Sequence, residues 1–168
     1  MGPIDGHDLD ALIPTLENLG LSVIHEAGYQ VRALGDESFW IHDFHTEDKS
    51  ERAIDIAAVR TLLEEAMLAV LDGRCEDDGF NALVVDAGLN WREAWALRAM
   101  AKYHMQAGLQ FSQRYIEEAL SRNASIARAL IGVFHARFNP AGPKDADKRQ
   151  AEVVAAEKSV LQSLEQVA

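Results

Sequence analysis

The stretch 90–120, NWREAWALRAMAKYHMQAGLQFSQRYIEEAL, constrains the fold more than any other, because its helix starts and stops are set by capping residues. The Asn90 side chain can accept from the first open N–H groups of a helix, and Glu93 stands where its carboxylate reaches back to the cap's own N–H. Gly108 ends that helix, Ser112 caps a second, and Ile116, Ala119 and Leu120 give the second its apolar stripe. In the first helix Trp91, Ala94, Trp95, Arg98, Ala101 and Lys102 share one side. Leu97, Met100, Tyr103, His104 and Ala107 share another, so the spacing predicts neighbours on several sides.

Upstream, Leu9, Leu12, Ile13, Leu16 and Leu19 recur at helical spacing, with Asp8 or Asp10 as cap and Gly20 as stop. Pro14 sits inside this pattern and predicts a kink if Asp8 is the cap. Residues 21–31 alternate as a long strand with one buried face and a possible bulge at Gly28. Gly35 and Asp36 form a turn, residues 39–44 a second strand, and HTEDKSER a polar loop. Asp55 caps a helix over Ile56–Leu71, with Ile56, Val59, Leu63, Ala66 and Val70 as its stripe and Gly73 as its stop.

The order helix, strand, strand, helix is the interior of a βαββαβ unit of ferredoxin-like or ACT type, without its outer strands. A two-stranded ribbon is marginal by itself, so its open edges need packing or pairing. Further on, Asp77 or Asp78 caps a short helix ending at Gly88. Asn123 caps a helix bearing Ile126, Leu130, Val133, Phe134 and Phe138, which Asn139-Pro140 terminates. AGPKDAD is a linker, and an alanine-rich helix from about Asp145 to Val167 carries Val153, Val160 and Leu164.

The fold class is therefore α+β and mostly helical: a truncated ACT-like α-β-β-α unit at 1–73, a helical module at 74–140, and a linker with a C-terminal helix at 141–168. With 168 residues, 48% of them hydrophobic, the chain has enough apolar side chains for a core. A formal charge of −11 repels phosphate backbones, which excludes nucleic acid as the expected partner. Neither a membrane span nor a signal peptide is legible, and a cytoplasmic location is expected. The single Cys75 cannot form an internal disulfide.

Chemistry-bearing clusters are few. His42, Asp43, His45, Glu47 and Asp48 carry metal-ligating groups, but on a strand His42 and His45 face opposite ways. CEDDGFN has an EF-hand flavour, yet the twelfth place counted from Asp77, where calcium loops carry glutamate, is Gly88. Beside Glu76 and Asp77, the Cys75 thiolate is disfavoured. There is no GxGxxG after a strand, no GxxxxGK[ST], no HExxH and no GxSxG, so no dinucleotide site, metal site or catalytic residue is assigned.

What remains is contact surface. Trp91, Trp95, Tyr103, Phe111, Tyr115, Phe134 and Phe138 are read as packing or interface aromatics. Arg92, Arg98, Lys102, Arg114, Arg128 and Arg137 are read as ion pairs with nearby Glu93, Glu117 and Glu118 or as links between domains. Ser112 joins the candidate set as the cap that fixes the second helix.

The stretch WREAWALRAMAKYHMQAGLQFSQRYIEEAL with IARALIGVFHARFNP after it, and LIPTLENLGLSVIHEAGYQV and FWIHDF before it, resembles part of the large bacterial NAD-dependent glutamate dehydrogenases. The resemblance runs over nearly the whole chain up to Pro140. It implies a region upstream of the dehydrogenase domain, within a polypeptide that deaminates L-glutamate to 2-oxoglutarate with NAD. The lysine-bearing glycine-rich motifs of that active site are not found here, so NAD belongs to the parent enzyme and no cofactor to this segment. The partners implied are the other domains of its own chain and the subunits of a homo-oligomer. An amino-acid effector on the ACT-like unit is the alternative.

Overall fold

A computed structural model of the chain describes residues 9–32 and 38–167. Helix α1 (Leu9–Asn18) is followed by strands β1 (Leu21–Arg32) and β2 (Ser38–Asp48) and helix α2 (Ile56–Leu71). A 3₁₀ turn (Gly79–Ala82) leads through α3 (Leu83–Ala87) to α4 (Trp91–Gln106), α5 (Gln113–Arg122), α6 (Ala124–Phe138) and α7 (Ala146–Glu165). The α+β, mostly helical class and the α-β-β-α order are those the sequence predicts.

The helix ends follow local chemistry. Asn90 accepts from the N–H groups of Arg92 at 3.0 Å and Glu93 at 3.1 Å, and the Glu93 carboxylate accepts from the Asn90 N–H at 2.9 Å. Both halves of the capping box are thus made, so Asn90→Ala is expected to cost about 1–2 kcal/mol in urea denaturation of the chain. Ser112 accepts from the Tyr115 N–H at 3.2 Å, Asp55 from that of Ala58 and Asp145 from that of Lys148. At Gly73, with φ of +67°, the Arg74 N–H reaches the Ala69 carbonyl and the Gly73 N–H that of Val70, a Schellman closure of α2.

Three expectations about local structure are corrected. Asn123 precedes α6 without capping it, because its side-chain amide donates back to the Ala119 carbonyl of α5 at 2.8 Å. The β1 bulge lies between Val23 and His25, and Gly28 pairs regularly with His42. A Cβ at position 28 would press on the Glu26 carboxylate at 3.2 Å, so this glycine makes room for the Glu26–His42 pair. Finally, β2 runs on through His45 to Asp48, residues expected in the polar loop. The expected turn at Gly35-Asp36 and the Asp8 cap lie outside the described residues.

β1 and β2 form a two-stranded antiparallel ribbon in which the described residues include no third strand. Its expected buried face is not buried within this chain: Tyr29, Val31, Phe39 and Ile41 are all exposed, as is Trp40 on the other face. The reason is that helices meet the ribbon mainly at its base. Leu21 and Asp48 are buried there, α1 packs on β1, and α2 takes α1, α3 and α4 as its main neighbours. Ile56, at the start of the α2 stripe, is likewise exposed.

The main core lies in the helical module, where Phe80, Leu83, Ala87, Ala94, Leu97, Ala127 and Ile131 close on one another. A smaller cluster of Leu19, Ala66 and Val84, with Trp91 against it, joins α1, α2 and α3. α7 packs on α6 with Val153 buried. Arg149 secures that pairing by donating to the carbonyls of Arg137 and Pro143, each at 3.0 Å.

Candidate functional site

The acidic turn after α2, CEDDGFN, is where the parts of the molecule meet. Asp77 accepts from the Thr15 hydroxyl at 2.8 Å and the Asn18 amide at 2.9 Å, tying α1 to the turn. Asp78 caps the 3₁₀ turn through the Phe80 N–H at 3.1 Å and also accepts from the Gln113 amide of α5 at 3.0 Å. Its principal partner is Arg98 of α4, whose Nη2 donates at 2.7 Å and Nε at 2.8 Å. Arg98 also donates to Asn81 Oδ1 at 2.7 Å and to the Glu76 carbonyl, and its Nη1 lies 3.5 Å from Cys75 Sγ.

Arg98 is the largest fully buried side chain among the described residues, 1% exposed. Burial by itself lowers a guanidinium pKa, but the hydrogen bonds and charge of Asp78, with Cys75 adding to them, carry Arg98 above its ordinary value. The sign follows. A cation whose folded pKa is raised contributes fully below the unfolded pKa and loses that contribution only as pH climbs through the still higher folded value. Across neutral and mildly alkaline pH the Arg98 guanidinium therefore stays charged.

A second tie crosses from ribbon to helices. Arg52 donates to Asp48 at 3.0 Å and pairs with Asp86 of α3, which also takes the Ser121 hydroxyl of α5. Gly79 lies so near Glu117 that a Cβ there would come within 2.6 Å of its carboxylate. These contacts tie α1, the ribbon and the helices to one turn. Among the described residues no group of three or more His, Cys, Asp or Glu is placed to hold a metal. His42 Nδ1 lies within hydrogen-bond distance of the Glu26 carboxylate, at 2.9 Å, between the rings of Trp40 and Phe44, while His45 lies opposite His25.

The candidate side chains divide into junction and rim. The expected ion pairs of Arg98 with local glutamates are corrected: it is buried on Asp78, because α4 turns its Ala94, Leu97, Arg98 and Ala101 edge inward. Lys102 pairs with Glu76 and Arg137 with Glu157, Arg128 donates to the Ala87 carbonyl, and only Arg114 takes the expected Glu118. Glu93 bonds His135 at 2.8 Å, and Glu117 accepts from Gln113 at 2.8 Å.

The aromatics do not form the core of this chain. Trp95, Tyr103, Phe111, Tyr115 and Phe138 are all more than half exposed, with Phe111 stacked on Tyr115 at 4.8 Å and Phe134 against Phe138 at 5.2 Å. Trp91 is half-buried, with the Arg92 guanidinium over its ring at 4.2 Å and that of Arg74 at 5.6 Å. Sequence reasoning missed Asp77, Asp78 and Asn81 as the receiving end of the junction. The available signal was three acidic residues in a row, Glu76, Asp77 and Asp78, with two strong apolar helices on either side.

These features define an α+β segment in which an ACT-type helix–ribbon–helix unit is joined through an acidic turn to a helical module. Residues 6–59 match the family model described as glutamate dehydrogenase, ACT3 domain, and residues 75–140 that described as glutamate dehydrogenase, helical motif 3. The chain belongs to the large NAD-specific glutamate dehydrogenase family.

It is 39% identical over 145 residues to the NAD-specific glutamate dehydrogenase of Halomonas elongata, covering 86% of this chain and 9% of that protein. To those of Pseudomonas aeruginosa and Mycobacterium tuberculosis it is 36% identical over 159 and 153 residues. Those alignments cover 95% and 88% of this chain and 10% and 9% of the relatives. The chain thus spans about a tenth of the length of these relatives.

Proposed function

We propose that this chain is a packing and assembly segment of a large NAD-specific glutamate dehydrogenase, cytoplasmic and homo-oligomeric, whose catalytic groups and NAD site lie in other domains of the same polypeptide. The parent reaction is oxidation of L-glutamate to 2-oxoglutarate and ammonia with reduction of NAD. Residues 1–73 act as a partial ACT-like unit, 74–140 as a helical module and 141–168 as linker and C-terminal helix.

One observation carries this reading. The chain holds a rigid, fully hydrogen-bonded junction, yet leaves Tyr29, Trp40, Ile41, Trp95, Phe111 and Tyr115 at least 42% exposed. Exposed aromatic and branched surface on that scale marks contact with another protein surface. Removal of the segment from the full enzyme is expected to alter its sedimentation and to depress its activity. A strictly monomeric isolated chain, together with an unchanged enzyme after the deletion, would refute the role. The isolated chain with glutamate and NAD is expected to yield no NADH.

A second reading, amino-acid sensing, is favoured by the ACT3 match and by the open ribbon, which offers unpaired edges. Calorimetric titration with single amino acids decides it: saturable heat supports sensing, and a flat trace removes it for this chain.

A further inference from the structure

A groove at the start of α4 combines the features of a binding site for an acidic, apolar piece of polypeptide. Its walls are Trp91, Trp95 and Phe134, its floor is the buried Ala96, and Arg74 and Arg92 stand at its rim. Its volume, about 400 Å³, is that of a few side chains, and it is open to solvent. Its two cations differ in availability. The Arg74 guanidinium is held by Asp72 at 2.9 Å, whereas Arg92 stacks on Trp91 and has no ion pair within 4 Å among the described residues.

In a chain of net charge −11, an uncompensated guanidinium on an apolar wall is conspicuous. Arg92 is also placed against the local electrostatics, since a cation in the first turn of a helix opposes the macrodipole. The first-turn N–H groups are already taken by Asn90, so the positive element of the groove is Arg92 itself. Nearby acids do not neutralise it: Glu93 is committed to the Asn90 N–H and to His135, and Glu65 lines the adjoining hollow without pairing to Arg92. Tryptophan and arginine together, half-exposed in a shallow groove, form the residue combination that dominates protein contact energies. A planar guanidinium stacked on an indole presents its N–H edge for bidentate capture of a carboxylate.

We infer that the groove of Trp91, Arg92, Trp95 and Phe134 receives a segment of the longer polypeptide in which an aliphatic or aromatic side chain lies next to an aspartate or glutamate. The apolar side chain fills the space between the indoles and Phe134, and the carboxylate closes on Arg92. Charge complementarity selects this occupant, and the relatives' tenfold greater length supplies its source. The inference rests on the packing role proposed above and names one contact that serves it.

The test uses the full-length enzyme with p-benzoyl-L-phenylalanine replacing Ala99, an exposed position one turn along α4 from Trp95. A second protein carries the same probe at Phe111. After irradiation, cross-links from position 99 are expected on one segment that contains an apolar residue beside Asp or Glu. Arg92→Glu is expected to cut their yield about tenfold, because repulsion replaces an ion pair at the rim. Arg114→Glu, remote on α5, leaves the yield unchanged.

Scattered cross-links, a target segment without a carboxylate, a small-molecule adduct, or a yield indifferent to Arg92→Glu would each overturn the inference. Cross-links at position 111 but none at 99 would remove this contact and leave the packing role standing. Silence at both positions would remove both.

Discussion

Replacing Arg98 by methionine is expected to destabilise the helical module by about 3–5 kcal/mol, measured by urea denaturation followed through helical circular dichroism. Methionine fits the apolar part of the space but donates nothing. Asp78, Asn81 and the Glu76 carbonyl would then lose a shared donor inside the fold. Asp78→Asn should cost less, since Asp78 is 17% exposed, keeps an oxygen for the Phe80 N–H, and leaves Arg98 other acceptors. The reverse order would show that the junction is held by the carboxylate's other bonds and not by the guanidinium.

Phe80→Ala is the second large effect, again about 3–5 kcal/mol, because the ring is fully buried and its removal leaves a cavity that the surrounding helices only partly fill. The Arg98 guanidinium lies 5.7 Å from the Phe80 ring centroid. The two substitutions share that neighbourhood, so their effects should not add: the double variant is expected to lose less than the sum. Strict additivity would indicate that ring and guanidinium stabilise the turn independently.

The elements legible in the sequence were those whose ends are set by short-range chemistry. Asn90 with Glu93, Ser112, Asp55 and Asp145 satisfy N–H groups two or three residues away, so spacing alone locates them. The junction was not legible in the same way. Arg98 and Asp78 are twenty residues apart, and nothing in either neighbourhood distinguishes a buried guanidinium from a solvated one.

The ribbon shows a related limit. Alternation along β1 states that one face is meant to be covered, but not what covers it. Tyr29 with Ile41 and Val31 with Phe39 are cross-strand pairs on one face, and all four side chains are exposed within this chain. The aromatics of α4 and α5 were expected to be wrapped by neighbours, whereas Trp95, Tyr103, Phe111 and Tyr115 stand exposed in this chain. The packing role proposed above makes their burial depend on residues outside these 168.

That dependence gives the most direct measurement. Hydroxyl-radical footprinting, read by mass spectrometry, compares oxidation of Tyr29, Trp40, Trp95, Phe111 and Tyr115 in the isolated chain and in the full-length enzyme. Strong protection of most of these side chains in the full enzyme, with the buried Phe80 unreactive in both, is the expected result. Equal oxidation of all five in both proteins would contradict a packing role, because the surface would then face water in the assembled enzyme as well.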